Sequence, residues 1–131
     1  MCNLFRKKVS VIGGVTGERL RHLSPCSVYL FDSTYWYPDV QGWANILTDV
    51  LFGMPAFVDE LWDCDNFALE VKARVAIRYK INAMGIVIGN SPQGYHAWNA
   101  YVSGGLLLYL EPQTGEIWER DSSYQPDLIL W

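Results

Sequence analysis

Apolar positions along the chain follow a helical period in its middle third and a strand-like period after it. Val40, Trp43, Leu47, Val50 and Leu51 recur at three- and four-residue spacing. They predict a helix with Asp39 as N-cap and Gly53 just past its end. A second stripe, Phe67, Ala68, Val71 and Val75, predicts a helix that starts at Asp63 or Cys64, with Asn66, Glu70, Lys72 and Arg74 largely off its buried face. The intervening stretch 54–62 holds Pro55 and two acids and reads as a connection. Beyond Lys80 the texture becomes β, with strands expected at 84–88, 95–102, 106–111 and 116–119. The turns expected between them fall at 89–94, at Ser103-Gly104-Gly105 and at Thr114-Gly115. The first 38 residues carry less pattern: a β-like run at 9–12, a break at Gly13-Gly14, and an aromatic strand at 27–31. Helices followed by a run of strands predict an α+β domain, N-terminal helices packed on an antiparallel sheet, rather than alternating βαβ units.

Composition narrows this picture. A chain of 131 residues, 50% apolar and 18% charged, suits one domain over 1–131, and its nineteen Tyr, Trp and Phe rings are unlike a disordered sequence. The formal charge of −4 gives no support to a nucleic-acid partner held by phosphate contacts. No stretch approaches the roughly 20 apolar residues of a membrane span, and the first residues lack the apolar run of a signal peptide. The expectation is a soluble, cytoplasmic protein with no membrane partner. Three cysteines, Cys2, Cys26 and Cys64, leave at least one thiol unpaired, which fits a reducing compartment.

Cys64 is the thiol of chemical interest. A helix N-terminus offers unpaired N–H groups and an aligned dipole that favour negative charge, the setting a nucleophilic cysteine needs. It also needs a histidine and a third group to orient that histidine. His96 opens a strand that forms a hairpin with the strand ending at Glu111-Pro112-Gln113. With Ser103-Gly104 as the turn, His96 faces Glu111; with Gly104-Gly105, it faces Gln113. In both registers Glu111 and Gln113 project from the face that carries His96, within the ~5–8 Å reach of cross-strand neighbours. Set against this, a helical cysteine is commonly a small buried apolar residue, and a strand histidine commonly a satisfied polar group.

Asp59, Glu60, Asp63 and Asp65 crowd four carboxylates around the thiol, which would favour its protonated form unless a cation neutralises them. Their hard oxygens suit Ca²⁺, Mg²⁺ or Mn²⁺. Ordinary capping by Asp63 and a dipole contact by Asp65 would account for two of them equally well. Trp36, Trp43, Trp62 and Trp98 are candidates to line a groove, with core packing as the alternative for at least two.

Together, Asp63-Cys64-Asp65-Asn66-Phe67-Ala68, Tyr95-His96-Ala97-Trp98-Asn99 and Leu110-Glu111-Pro112-Gln113 resemble a papain-like cysteine peptidase pattern. The resemblance is to the C-terminal protease domain of the Marasmius oreades agglutinin family of fungal chimerolectins and, more distantly, to bacterial transglutaminase-like cysteine proteinases. It covers about residues 43–118, with 32 residues from Cys64 to His96 and 15 from His96 to Glu111. It implies a small papain-like domain with Cys64 as nucleophile, His96 as base and then acid, and Glu111 as the group that orients His96. Calcium dependence in the agglutinins implies Asp63 and Asp65 as ligands of Ca²⁺, or of Mn²⁺. The sugar-binding trefoil of those proteins has no counterpart here. No glutamine stands close before Cys64 to serve an oxyanion hole, so Gln113 is the candidate polar support beside the Cys64 N–H. The expected activity is hydrolysis of a peptide or isopeptide amide in a protein or peptide substrate. Acyl transfer to an amine, deamidation, and a catalytically silent interaction role on the same fold remain open.

Overall fold

The computed structural model describes residues 9–119 and 122–131; Cys2 lies outside them. In chain order the elements are β1 (Val11–Thr16), α1 (Gly17–Leu23), β2 (Ser27–Tyr29), β3 (Thr34–Pro38), α2 (Val40–Leu51), α3 (Cys64–Tyr79), β4 (Met84–Ser91), β5 (Gly94–Ser103), β6 (Leu106–Leu110), β7 (Ile117–Glu119) and β8 (Gln125–Leu130). They form a mixed α+β domain around a six-stranded sheet of order β2-β8-β4-β5-β6-β7, with a separate two-stranded β1-β3 ribbon.

Both predicted helices are present. Asp39 caps α2 by accepting the Gly42 N–H at 2.7 Å, and the stripe Trp43, Ile46, Leu47 and Val50 is buried. Val40, expected on that stripe, is 73% exposed, because the first helical turn extends past the core. In α3 the buried face is the predicted one, Phe67, Ala68, Val71 and Val75. The Asn66 amide oxygen accepts the Asp63 N–H at 3.1 Å and satisfies one group at that helix entry.

Alternation along β4 and β5 gives the sheet two apolar faces. Helix α3 lies on the face of Ile86, Ala97 and Asn99: the buried Asn99 amide donates to the Ala68 and Gly85 carbonyls, both at 3.0 Å, tying helix to sheet. On the opposite face Trp98 meets Tyr109 and Tyr124 edge-on at 5.8 and 5.1 Å between centroids. The β4–β5 hairpin is tighter than expected. Its strands run on to the Ser91–Gly94 pair, leaving Pro92-Gln93 as a two-residue turn, and Gly94 takes φ +110°, a backbone setting that favours glycine.

The N-terminal third departs from expectation. Gly13 and Gly14 are not a break but the middle of β1. Their missing side chains let the rings of Tyr37 and Trp36 lie against the strand, where a Cβ would come within 2.7 and 2.8 Å of ring atoms. Strand β3 and the seven-residue α1, which Thr16 caps through the Arg19 N–H, were not foreseen. The sheet is antiparallel except at one edge, where β2 pairs in parallel with β8. On its other side β8 pairs antiparallel with β4.

Candidate active site

Three short segments wall a cleft of about 520 Å³. The connection after α2 and the start of α3 supply Phe57, Asp59, Asp63 and Cys64; the β4–β5 hairpin supplies Gln93, Tyr95 and His96. The turn after β6 supplies Glu111, Gln113, Thr114 and Glu116, with Tyr124 completing the wall. Cys64, His96 and Glu111, chosen from sequence, thus share one cleft.

Cys64 is the first residue of α3, half-buried, and packs on the small cluster of Ala68, Ile86 and Ala97. N–H groups of a first helical turn have no intrahelical acceptor and are directed at incoming negative charge. His96 Nε2 lies 2.8 Å from Glu111 Oε2, with side chains 15% and 10% exposed. An ionised carboxylate only accepts, so Nε2 carries the proton in this contact, and Nδ1 is the ring nitrogen left for a second partner. The His96 ring also lies nearly parallel to Trp98, 6.0 Å between centroids and 21° between planes.

The hairpin register explains how Glu111 reaches His96. Strands β5 and β6 pair Ser103 with Leu106 and Asn99 with Leu110, the Gly104-Gly105 register, whose parity puts Glu111 on the sheet face of His96. Regular pairing stops at Leu110, and Glu111 becomes the hub of the next turn. Its N–H donates to Glu116 O at 2.9 Å, and its carbonyl accepts from Thr114 and Gly115 at 3.3 and 2.8 Å. The backbone is thereby fixed with the carboxylate turned inward.

Asp63 and Asp65 lie close enough that their carboxylate oxygens and the Cys64 sulfur all fall within 4.8 Å of one another. A side-chain hydrogen bond with Asp65 raises the Asp63 carboxyl above its usual range, with some desolvation and like charge adding to the effect and the Glu60 N–H opposing it. Carboxylates this close share a proton or a cation.

At least two of the four tryptophans are core, as expected, and none lines the cleft. Trp98 and Trp43 are buried in the core, Trp62 is spent on an edge contact with Phe67 at 5.7 Å, and Trp36 is exposed on β3, away from the cleft. Among the described residues, the aromatic walls of the cleft are instead Phe57, Tyr95 and Tyr124. Tyr95 had a signal in its place beside His96. Phe57 and Tyr124 had none, since they arrive from connections with no periodicity.

The family model described as Agglutinin C-terminal matches residues 35–117. The chain belongs to the agglutinin C-terminal family. Its architecture recurs in solved structures: the PSL1a–E64 complex, at 24% identity and a TM-score of 0.74, and the Polyporus squamosus lectin bound to the human-type influenza-binding epitope Neu5Aca2-6Galb1-4GlcNAc, at 23% and 0.74. Each alignment covers 90% of this chain but only 51% and 49% of the other, so this agglutinin C-terminal chain spans about half the length of those proteins. No curated protein matches it. The shared architecture is a papain-like α+β domain. No helix of the described residues is long and apolar enough to cross a membrane.

Proposed function

We propose that this agglutinin C-terminal chain is a papain-like cysteine hydrolase of peptide or isopeptide amides, with Cys64 as nucleophile, His96 as base and acid, and Glu111 as the residue that positions His96. The observation that carries this reading is the His96–Glu111 bond at 2.8 Å in a cleft shared with a helix-terminal cysteine. With Nε2 held by Glu111, Nδ1 is free to take the thiol proton. Sulfur then attacks the amide carbon, and negative charge develops on the carbonyl oxygen, where the Cys64 N–H and the Gln113 side chain are the candidate donors. The C–N bond breaks as His96 returns the proton to the leaving amine. Water, deprotonated by His96, cleaves the thioester to acid and restores the thiol. The PSL1a–E64 complex on the same fold agrees with this reading, and E-64, an epoxysuccinyl reagent for activated thiols, is the direct test. One adduct at Cys64 supports the hydrolase. An inert Cys64 thiol supports the silent interaction protein instead.

Glu111→Gln should lower kcat about 10²-fold or more with KM little changed, because the amide cannot stabilise the imidazolium formed during attack. Stopped-flow hydrolysis of a fluorogenic peptide separates the two constants. Equal kcat for variant and wild type would remove Glu111 from the mechanism.

We further propose Asp63 and Asp65 as ligands of a hard divalent cation, Ca²⁺ or Mn²⁺, which would neutralise the pair beside the thiol. The shared hydrogen bond and the all-oxygen carboxylate donors fit such an ion. Without it, Asp63 has a raised folded-state pKa, so its contribution favours the fold below the ordinary carboxyl range and is lost as pH rises through the raised value. Calcium should therefore raise Tm at neutral pH and EGTA reverse the rise, whereas Asp65→Asn should raise Tm in EGTA and erase the calcium response. Differential scanning fluorimetry at neutral pH reads all of these. A calcium response kept intact by Asp65→Asn would exclude this pair as the site.

A further inference from the structure

The cleft is lopsided in charge. Four of its lining residues are carboxylates, Asp59, Asp63, Glu111 and Glu116, and none of the ten lysines and arginines of the chain borders it among the described residues. Glu111 is committed to His96, and Asp63 to Asp65. Asp59 and Glu116 are exposed, line the cleft from different loops, and make no ion pair with any described residue. The exposed aromatic surface in the same lining is Phe57 and Tyr95, 53% and 70% exposed, whose faces attract cations. An anionic segment entering here would meet uncompensated like charge from both carboxylates. A guanidinium or ammonium would meet two free carboxylates and two aromatic faces while its aliphatic stem covers apolar surface.

We propose that the cleft selects peptide segments with a lysine or arginine beside the scissile amide, with Asp59 and Glu116 as the specificity-determining carboxylates and Phe57 and Tyr95 as the aromatic walls that receive the stem. This deepens the hydrolase reading and rests on it. The same field should speed encounter with basic peptides at low ionic strength and fade as salt shortens the screening length to ~8 Å near 0.15 M.

The test separates selection from turnover. The full chain carrying Cys64→Ala is titrated in calcium-containing buffer with fluorescent peptides of one length that differ only in an arginine, norleucine or glutamate at each position in turn. In parallel, the wild-type chain is assayed for cleavage of the same set. Arginine should be preferred over norleucine by about tenfold at one position, equivalent to ~1.4 kcal/mol, with glutamate weakest. Asp59→Asn combined with Glu116→Gln should reduce that ratio to about two. Equal binding of the three peptides, or a ratio unmoved by the double variant, overturns the proposal. An unmoved ratio accompanied by a weakened calcium response overturns it too and assigns the two acids to a metal. Arginine-selective binding without any cleavage by the wild-type chain and without E-64 labelling would leave the charge selection standing and overturn the hydrolase reading alone.

Discussion

Cys64→Ala is expected to reduce amide hydrolysis by at least about 10⁴-fold and to leave the fold intact. The size of the first effect follows from the chemistry: without sulfur no thioester forms, and His96 with Glu111 has no proton to take. The smallness of the second follows from position, since the side chain is half-buried at a helix start and packs against the small cluster of Ala68, Ile86 and Ala97. Mass spectrometry after E-64 treatment should find one adduct on wild type and none on the variant, with far-ultraviolet circular dichroism unchanged. Cys26 is the internal control. Burial, aided by the negative charge of Asp127, pushes its thiol up to about 11, so Cys26→Ala should label as wild type does. Full turnover by Cys64→Ala would end the covalent mechanism.

Gly89→Ala is expected to cost more stability than any other single methyl added to the sheet, about 3 kcal/mol or more. A Cβ there would stand 2.3 Å from the Gln125 carbonyl oxygen and 2.7 Å from the Pro126 Cα, backbone atoms of β8 that no rotamer change can withdraw. The register between β4 and β8 shifts at this point, between Ile88 and Gly89, and on its other side Gly89 pairs directly with His96. The added methyl would push β8 off the strand that backs the histidine. Urea denaturation should show a lowered midpoint, and His96 imidazole resonances should shift in NMR spectra. Gly104, with nothing within 4 Å of a built Cβ, provides no such clash. A Gly89→Ala protein as stable as wild type would mean that the two strands tolerate separation here.

Much of the site was legible from residues close in sequence. Asp39 and Asp63 as caps, the Phe67–Val75 stripe, and the parity that puts His96 and Glu111 on one sheet face all follow from periods of 3.6 and 2, which a sequence displays directly. The regions that resisted reading depend on distant partners. Gly13 and Gly14 make sense only with the rings of β3 against them, and β2 only with β8 beside it. Which tryptophans fill the core was not legible for a related reason: each has a large apolar ring with a polar edge, so groove and core are both open to it until its neighbours are known.

The pairing of Ser27 with Leu128 and Tyr29 with Leu130 closes a loop of about a hundred residues. A closure of that length costs roughly 4 kcal/mol of chain entropy beyond a constant term. The segment from Cys64 to Leu110, by contrast, assembles α3, β4, β5 and β6 from elements adjacent in sequence. In a chain so arranged, the segment that carries the cleft is expected to condense before β2 joins the sheet edge, as topology ranks local contacts ahead of remote ones. In the native state the order reverses. The amides of the edge strand β2 are expected to exchange faster than those of the central strand β5, and hydrogen exchange read by mass spectrometry checks this.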